Sequence, residues 1–309
     1  MDIMTTPESS EAPVYVAATG LTGMIGARVA EISSDCVFTP LGVDITDREA
    51  TMAAVAKSEL NIVVNFAAFT DVARAAEQWG DRDGPCYQIN AVGPRNLSDA
   101  CALTGKHLIH ISTDYVFSGE ESRPYTESDV PDANADWYGI TKRIGEEYVS
   151  GVDAPYSVIR IGSPFQAHSL RKEDVVRRLV RQLRSDSLPP LFNDMVVTPT
   201  FVDDLASVVG FVCGAKAQGI FHVNSCVPIS PANLARMVAT IFEEDGSRIR
   251  ETSLRDFAAK TGRFYPQRLA MSSEMTLTRL NGPVPRPLPD ALAKLRQQIE
   301  EGSTCQACG

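Results

Sequence analysis

The 309 residues carry 44% hydrophobic and 22% charged side chains and a net charge of −10, an ordinary balance for a globular chain of one large or two smaller domains. That acidity argues against a nucleic-acid partner, because a phosphate backbone needs a concentrated basic surface. No apolar run is long enough to span a bilayer, and the opening MDIMTTPESSEAP has neither the basic flank nor the apolar stretch of a leader, so the expectation is a cytoplasmic protein with a disordered lead over residues 1–12 and no membrane partner.

PVYVAAT (13–19) is a short apolar run that ends in a glycine cluster, and MIGARVAEI (24–32) follows with helical periodicity. DCVFTPLG (35–42) reads as a second strand and EATMAAVAKSEL as a helix. NIVVNFAA (61–68), HLIHIST (107–113) and YSVIRIG (156–162) are further apolar runs, with the helical NLSDACALTG between the first two. Buried strands alternating with helices predict repeated βαβ units, and hence an α/β fold with a doubly wound, Rossmann-like parallel sheet. Beyond residue 162 come a basic amphipathic helix (170–184), a proline-rich loop and TFVDDLASVVGFV, where Thr200 reads as an N-cap with Asp203 as the acid of a capping box. GIFHVNS (219–225) reads as a strand returning to the sheet. The expected organisation is a dinucleotide-binding domain over 13–162, rejoined by 200–225. A smaller C-terminal substrate-binding region spans 163–199 and 226–302, and 303–309 form a tail.

Seven scattered cysteines offer no disulfide framework. Cys305 and Cys308 form a C-x-x-C in the tail without a second pair or a nearby histidine, which predicts no metal site. His107, His110, His168 and His222 lack ligand spacing, and His107 and His110 read as hydrogen-bonded structural groups on a strand.

ATGLTGMIG places Gly20, Gly23 and Gly26 between the first strand and the first helix. There one glycine permits a tight turn, a second lets backbone approach a pyrophosphate, and a third lets helix and strand pack closely. This predicts a dinucleotide site. The acid expected at the end of the second strand to bind a ribose is missing; Asp44 follows slightly later and faces the adenine end, or Asp47 caps the next helix. The choice between NAD and NADP stays open, and Arg28 alone does not settle it.

DWYGITK puts Tyr138 and Lys142 on one face of a helix. A phenol with an ordinary pKa of about 10 needs help to act near neutrality, and a cation beside it gives that help. HISTDYVFSG ends an apolar strand in Ser112 and Thr113, at the carboxyl edge where parallel sheets bind ligands.

These motifs, taken with NFAAFT (65–70), STDYVFSG (112–119) and YGITK, resemble the extended short-chain dehydrogenase/reductase superfamily over about residues 13–300, and within it most the dTDP-4-dehydrorhamnose reductase family. The resemblance implies an NAD(P)H-dependent oxidoreductase of a nucleotide-linked keto-sugar, with Thr113, Tyr138 and Lys142 catalytic. It also implies a cofactor site formed by Gly20, Thr22, Gly23, Met24, Ile25, Gly26, Asp44, Ile45, Ala67, Ala68, Thr70, Tyr138 and Lys142. Tyr138 would be the acid, Lys142 would lower its pKa and hold the nicotinamide ribose, and Thr113 would hydrogen-bond the substrate oxygen. Asn90 matches a family asparagine near the active site. The implied partner is a nucleotide sugar, with a homodimer as the expected assembly. IRIGSPF departs from the family's T-S-W-V-Y at Ser163 and Pro164, and YPQRLAMSS keeps only Arg268 and Leu269 of R-P-x-x-S-R-L. Two alternatives share the fold: a non-catalytic NADP-binding subunit resembling that of methionine adenosyltransferase, and a sugar-nucleotide epimerase or dehydratase.

Overall fold

Continuous apolar runs, rather than alternating ones, form the strands here because both sheet faces are covered. A computed structural model describes residues 12–167 and 173–306, with side chains to residue 302. Most of the expected lead, His168, the start of the 170–184 helix and the side chains of Cys305 and Cys308 lie outside the described residues.

The first half runs β1 (Val14–Thr19), α1 (Met24–Ile32), β2 (Cys36–Pro40), α2 (Arg48–Lys57) and β3 (Ile62–Asn65). Two short helices follow, α3 (Val72–Ala76) and α4 (Pro85–Tyr87), then a π-helical turn (Gln88–Val92) that continues into α5 (Gly93–Thr104). Next come β4 (His107–Thr113), a single 3-10 turn (Asp114–Val116), α6 (Trp137–Ser150) and β5 (Tyr156–Ile161). The second half holds β6 (Pro164–Phe165), α7 (Val175–Arg184), β7 (Leu191–Phe192), β8 (Thr200–Phe201), α8 (Val202–Ala215) and β9 (Gly219–Val223). The last elements are α9 (Pro231–Phe242), β10 (Glu251–Thr252), α10 (Leu254–Thr261), α11 (Glu274–Leu280) and α12 (Leu288–Gln306), whose helix runs into the segment read as a tail.

Six strands pair in parallel in the order β2-β1-β3-β4-β5-β9, the doubly wound sheet expected. Val16, Ala18, Val64, Ile109 and Ile159 pack on one face with Val202, Leu205 and Val209 of α8. Their neighbours Ala17, Val63, Leu108 and Val158 pack on the other with Val55, Leu97 and Val149, as a period of two requires. A third cluster joins Phe165, Leu179, Phe201, Val238, Leu288 and Leu292 in the second half. The strand order reverses between β1 and β3, which opens a crevice at their carboxyl ends.

Asp47 caps α2, accepting from the Ala50 N–H at 2.9 Å. Thr200 is not a cap. It lies in β8, where its hydroxyl donates to the Val223 carbonyl at 2.8 Å and accepts from the Gly162 N–H at 3.2 Å, and α8 starts at Val202 after Phe201. The reason is burial: wedged between the ends of β5 and β9, the Thr200 hydroxyl has to satisfy buried backbone groups there. Asp203 pairs instead with Arg28, Nε to Oδ1 at 2.8 Å and Nη2 to Oδ2 at 2.8 Å. Helix α7 begins at Val175, where Asp174 accepts from the N–H groups of Val176 and Arg177. Among the described residues no helix is long and apolar enough to cross a membrane.

Candidate active site

The glycine turn joins β1 to α1 against the end of β3. Gly20 has φ +70°, and a Cβ there would lie 2.6 Å from the Phe66 carbonyl carbon and 2.7 Å from Ala67 Cα, so only glycine fits. At Gly26 a Cβ would meet the Gly20 oxygen at 2.5 Å, which makes Gly26 the position where helix packs on turn. Gly23 is exposed and sits at the N-cap of α1 with no side-chain cap, leaving backbone N–H groups open at the positive end of the helix. A cradle of this shape fits a dinucleotide pyrophosphate. Thr22 is exposed beside it, and Met24 and Ile25 are half-buried in the first turn.

At the tip of β4, two carboxyl-edge strands along the sheet from β1, Thr113 and Tyr138 meet across the gap between β4 and α6. The Tyr138 phenol lies close enough to the Thr113 hydroxyl for that group to favour its ionised form, while Thr113 donates to Asp114 Oδ1 at 3.0 Å. Asp136 caps α6, accepting from the Gly139 N–H at 2.7 Å. Gly139 explains the glycine that follows the tyrosine: a Cβ there would run into the Tyr115 carbonyl oxygen and lie 2.8 Å from Asp136 Oδ2. Absence of that Cβ lets α6 rest on the turn after β4, and so sets Tyr138 against Thr113. Tyr115 closes the other side edge-on, its ring centroid 5.6 Å from that of Tyr138. Ser112, on the opposite strand face, does not reach the phenol; its buried hydroxyl has no partner among the described residues.

Lys142 lies one helical turn from Tyr138 and is 1% exposed. Its Nζ donates to the Ile111 carbonyl at 2.9 Å and lies 3.2 Å from His110 Nε2. Among the described residues, the hydrogen bonds of the lysine nitrogen thus go to β4 rather than to the phenol. The lysine nitrogen is turned toward β4, and burial holds Tyr138 above the usual phenol range, with Thr113 as the group that lowers it. Burial likewise pulls Lys142 down to about 8 and pushes Asp114 up to about 7 and Asp136 up to about 6. Each of these two carboxyls has one buried oxygen, Oδ2, without a hydrogen-bond partner among the described residues.

Ala67 and Ala68 are half-buried and Thr70 is exposed at the end of β3. Asn90 anchors this segment by accepting from the Phe69 N–H at 2.8 Å and donating to the Phe69 carbonyl at 3.0 Å. Asp44 is an exposed carboxylate held below its ordinary range by hydrogen bonds from the Thr46 N–H and hydroxyl. The Ile45 side chain is turned away into the core against Gly93, which leaves only its backbone for a ligand. Arg28 is committed to Asp203. Sequence reading missed the roles of Asn65, His110 and Asp114 in the network behind the site; the one signal was the two-residue spacing that puts His110 and Ser112 on one face of β4.

The RmlD substrate binding domain model matches residues 14–300. The dTDP-4-dehydrorhamnose reductase of Mycolicibacterium smegmatis is 32% identical over 76% of this chain and 71% of its own, and that of Streptomyces griseus 31% over 76% and 78%. A crystal structure of dTDP-4-dehydrorhamnose reductase from Bacillus anthracis in complex with NADP superposes with a TM-score of 0.81 at 25% identity, covering 92% of this chain and 99% of that one. The resemblance read from the glycine turn, STDYVFSG and YGITK is thereby borne out, and the chain belongs to the RmlD substrate binding domain family.

Proposed function

We propose that the protein is an NAD(P)H-dependent reductase of a nucleotide-linked keto-sugar, of the kind for which its relatives are named. The observation that carries the reading is the meeting of the Thr113 and Tyr138 hydroxyls at the tip of β4, with Lys142 one turn deeper, on the same sheet edge as the Gly20–Gly23–Gly26 cradle. When bound, the nicotinamide supplies the hydride. Gly20, Thr22, Gly23, Met24, Ile25 and Gly26 hold its pyrophosphate; Ala67, Ala68 and Thr70 give the small surfaces that close approach needs; Asp44 and the Ile45 backbone face its adenine end. Thr113 holds the substrate carbonyl oxygen, Tyr138 gives it the phenolic proton, and Lys142 holds the nicotinamide ribose.

Residues 13–162 and 200–225 serve the cofactor, while 163–199 and 226–302 bind the sugar nucleotide. In support, a cleft of about 520 Å³ is lined by Asp194, Leu254, Arg255, Phe264, Tyr265 and Gln267, and Tyr265 lies within electrostatic reach of Tyr115 beside Tyr138. The reading includes a cytoplasmic location, no nucleic-acid partner, in keeping with the net charge of −10, and a homodimer, which sedimentation would test. The direct assay follows NADPH or NADH oxidation with dTDP-4-keto-6-deoxyglucose and its epimerase. Tyr138→Phe should lower turnover by roughly 10²–10⁴ while leaving cofactor affinity intact. Undiminished turnover in that variant would refute the role of Tyr138.

A further inference from the structure

A chain of buried polar groups runs beneath the crevice from the end of β1 to Lys142, and donor–acceptor counting fixes the direction of each link. The Ala67 N–H can only donate, and it does so to Asn65 Oδ1 at 3.1 Å. The Thr19 hydroxyl donates to the same oxygen at 2.6 Å. The Asn65 amide is thereby oriented, with Nδ2 turned to His110 Nδ1 at 3.0 Å. An amide nitrogen is a donor only, so Nδ1 accepts and carries no proton. His110 is wholly buried, and burial with Lys142 beside it holds the ring well below its ordinary pKa. A neutral ring keeps one proton, which must then sit on Nε2. That N–H faces Lys142 Nζ at 3.2 Å. An ammonium has three donors and no acceptor, so the contact would set donor against donor; an amine accepts with its lone pair and still donates to the Ile111 carbonyl.

We propose that the Asn65–His110 pair holds Lys142 as a neutral amine in the cofactor-free protein. Asn65 and His110 are on this account positioning residues that act through Lys142. Burial pulls the lysine in the same direction. Glu146, one turn along α6, opposes it, but its carboxylate is taken up by Arg160 of β5, Nη2 to Oε2 at 2.7 Å and Nε to both oxygens at 3.1 Å. Among the titratable groups on elements packed against α6, Cys86 of α4 bonds Thr141, Asp114 bonds Thr113, His107 of β4 bonds Ser157, Asp99 of α5 pairs with Arg48, Arg95 of α5 lies over the Tyr148 ring, Tyr87 of α4 lies under Arg82 and Tyr115 packs edge-on against Tyr138. The use of this state in turnover rests on the reductase reading, whereas the protonation itself does not.

Nitrogen-15 NMR of the full chain tests it without any turnover. The expected result is a neutral His110 protonated at Nε2 and a Lys142 nitrogen that titrates below the value of about 8 to which burial brings it. An Nδ1-protonated ring, or an ammonium at position 142 persisting to about pH 8, overturns the proposal. His110→Phe adds a directional check. Removing the opposing N–H should raise the Lys142 midpoint by about one unit, whereas a neighbour that merely supplied polarity would, once replaced by an apolar ring, let the midpoint fall. A fall or no change overturns the proposal, and if the variant does not fold, the tautomer and titration of the unaltered protein decide. A failed reductase assay would leave these results standing, and the reverse also holds.

Discussion

Replacing Gly139 by alanine separates two opposed effects of one methyl group. In an ordinary helix interior the change is worth about 1 kcal/mol of added stability, because glycine loses more backbone freedom on folding. Here the new Cβ would lie 2.8 Å from Asp136 Oδ2 and closer still to the Tyr115 carbonyl oxygen, where carbon and oxygen normally keep about 3.3 Å apart. Helix α6 and the turn after β4 must therefore separate by on the order of 1 Å, and overpacking of this kind costs about 1–3 kcal/mol. The two terms largely offset each other, leaving a net loss of at most about 2 kcal/mol and a Tm drop of a few degrees for a chain this long. Function should suffer more. Gly139 adjoins Tyr138 and Tyr115 is two residues from Thr113, so the separation falls on the pair of hydroxyls that must share one oxygen; a misplacement of about 1 Å is worth about 10²-fold in rate. The assay pairs a thermal melt with steady-state reduction of the keto-sugar, and expects kcat to fall about 10²-fold with cofactor affinity kept. A Gly139→Ala protein that melts higher and turns over normally would show that no close approach exists.

Two further outcomes follow from charge. Asp114 has a folded pKa of about 7 against an ordinary 3.8, so between those values the folded protein keeps a proton that the unfolded chain has released, and this residue makes stability fall as pH rises. Asp114→Asn removes that dependence; its stability relative to the unaltered protein should climb by about 1.4 kcal/mol per pH unit between about pH 4 and pH 7 in urea titrations, and a flat difference would contradict a buried neutral carboxyl. Arg28→Gln should leave the NADPH-to-NADH preference unchanged, because the guanidinium is bound to Asp203, while lowering stability by about 2 kcal/mol through the lost charge-assisted bonds; a loss of NADPH preference in paired KM measurements would reassign Arg28 to the cofactor.

The six strands of the main sheet were legible because each was a bounded run, whereas the two-residue strands β6, β7, β8 and β10 were not, and Gly20–Gly23–Gly26 and Tyr138–Lys142 were legible because their spacing lies within one short stretch of chain. What could not be read was anything set by contact between distant segments. Asp203 stands three residues after Thr200, as a capping box would have it, yet its charge answers Arg28 across 175 positions. The glycine after Tyr138 was visible, but the Tyr115 oxygen that requires it was not. Lys142 was expected beside the phenol because i and i+4 share a helix face, but that its nitrogen would also bond the Ile111 carbonyl on β4 was not visible. His110 looked inert for the same reason: its partners Asn65 and Lys142 come from β3 and α6.

The last strand of the sheet has a consequence for how the molecule is made. Ser157–Ile161 of β5 pair with Gly219–Val223 of β9, so a chain cut after residue 162 would own every reactive group of the site yet bare a row of amides and carbonyls along β5, an edge that invites self-association. During synthesis the same exposure lasts until residue 223 has left the ribosome, and a chaperone or a pause in translation would have its greatest effect on yield in that interval.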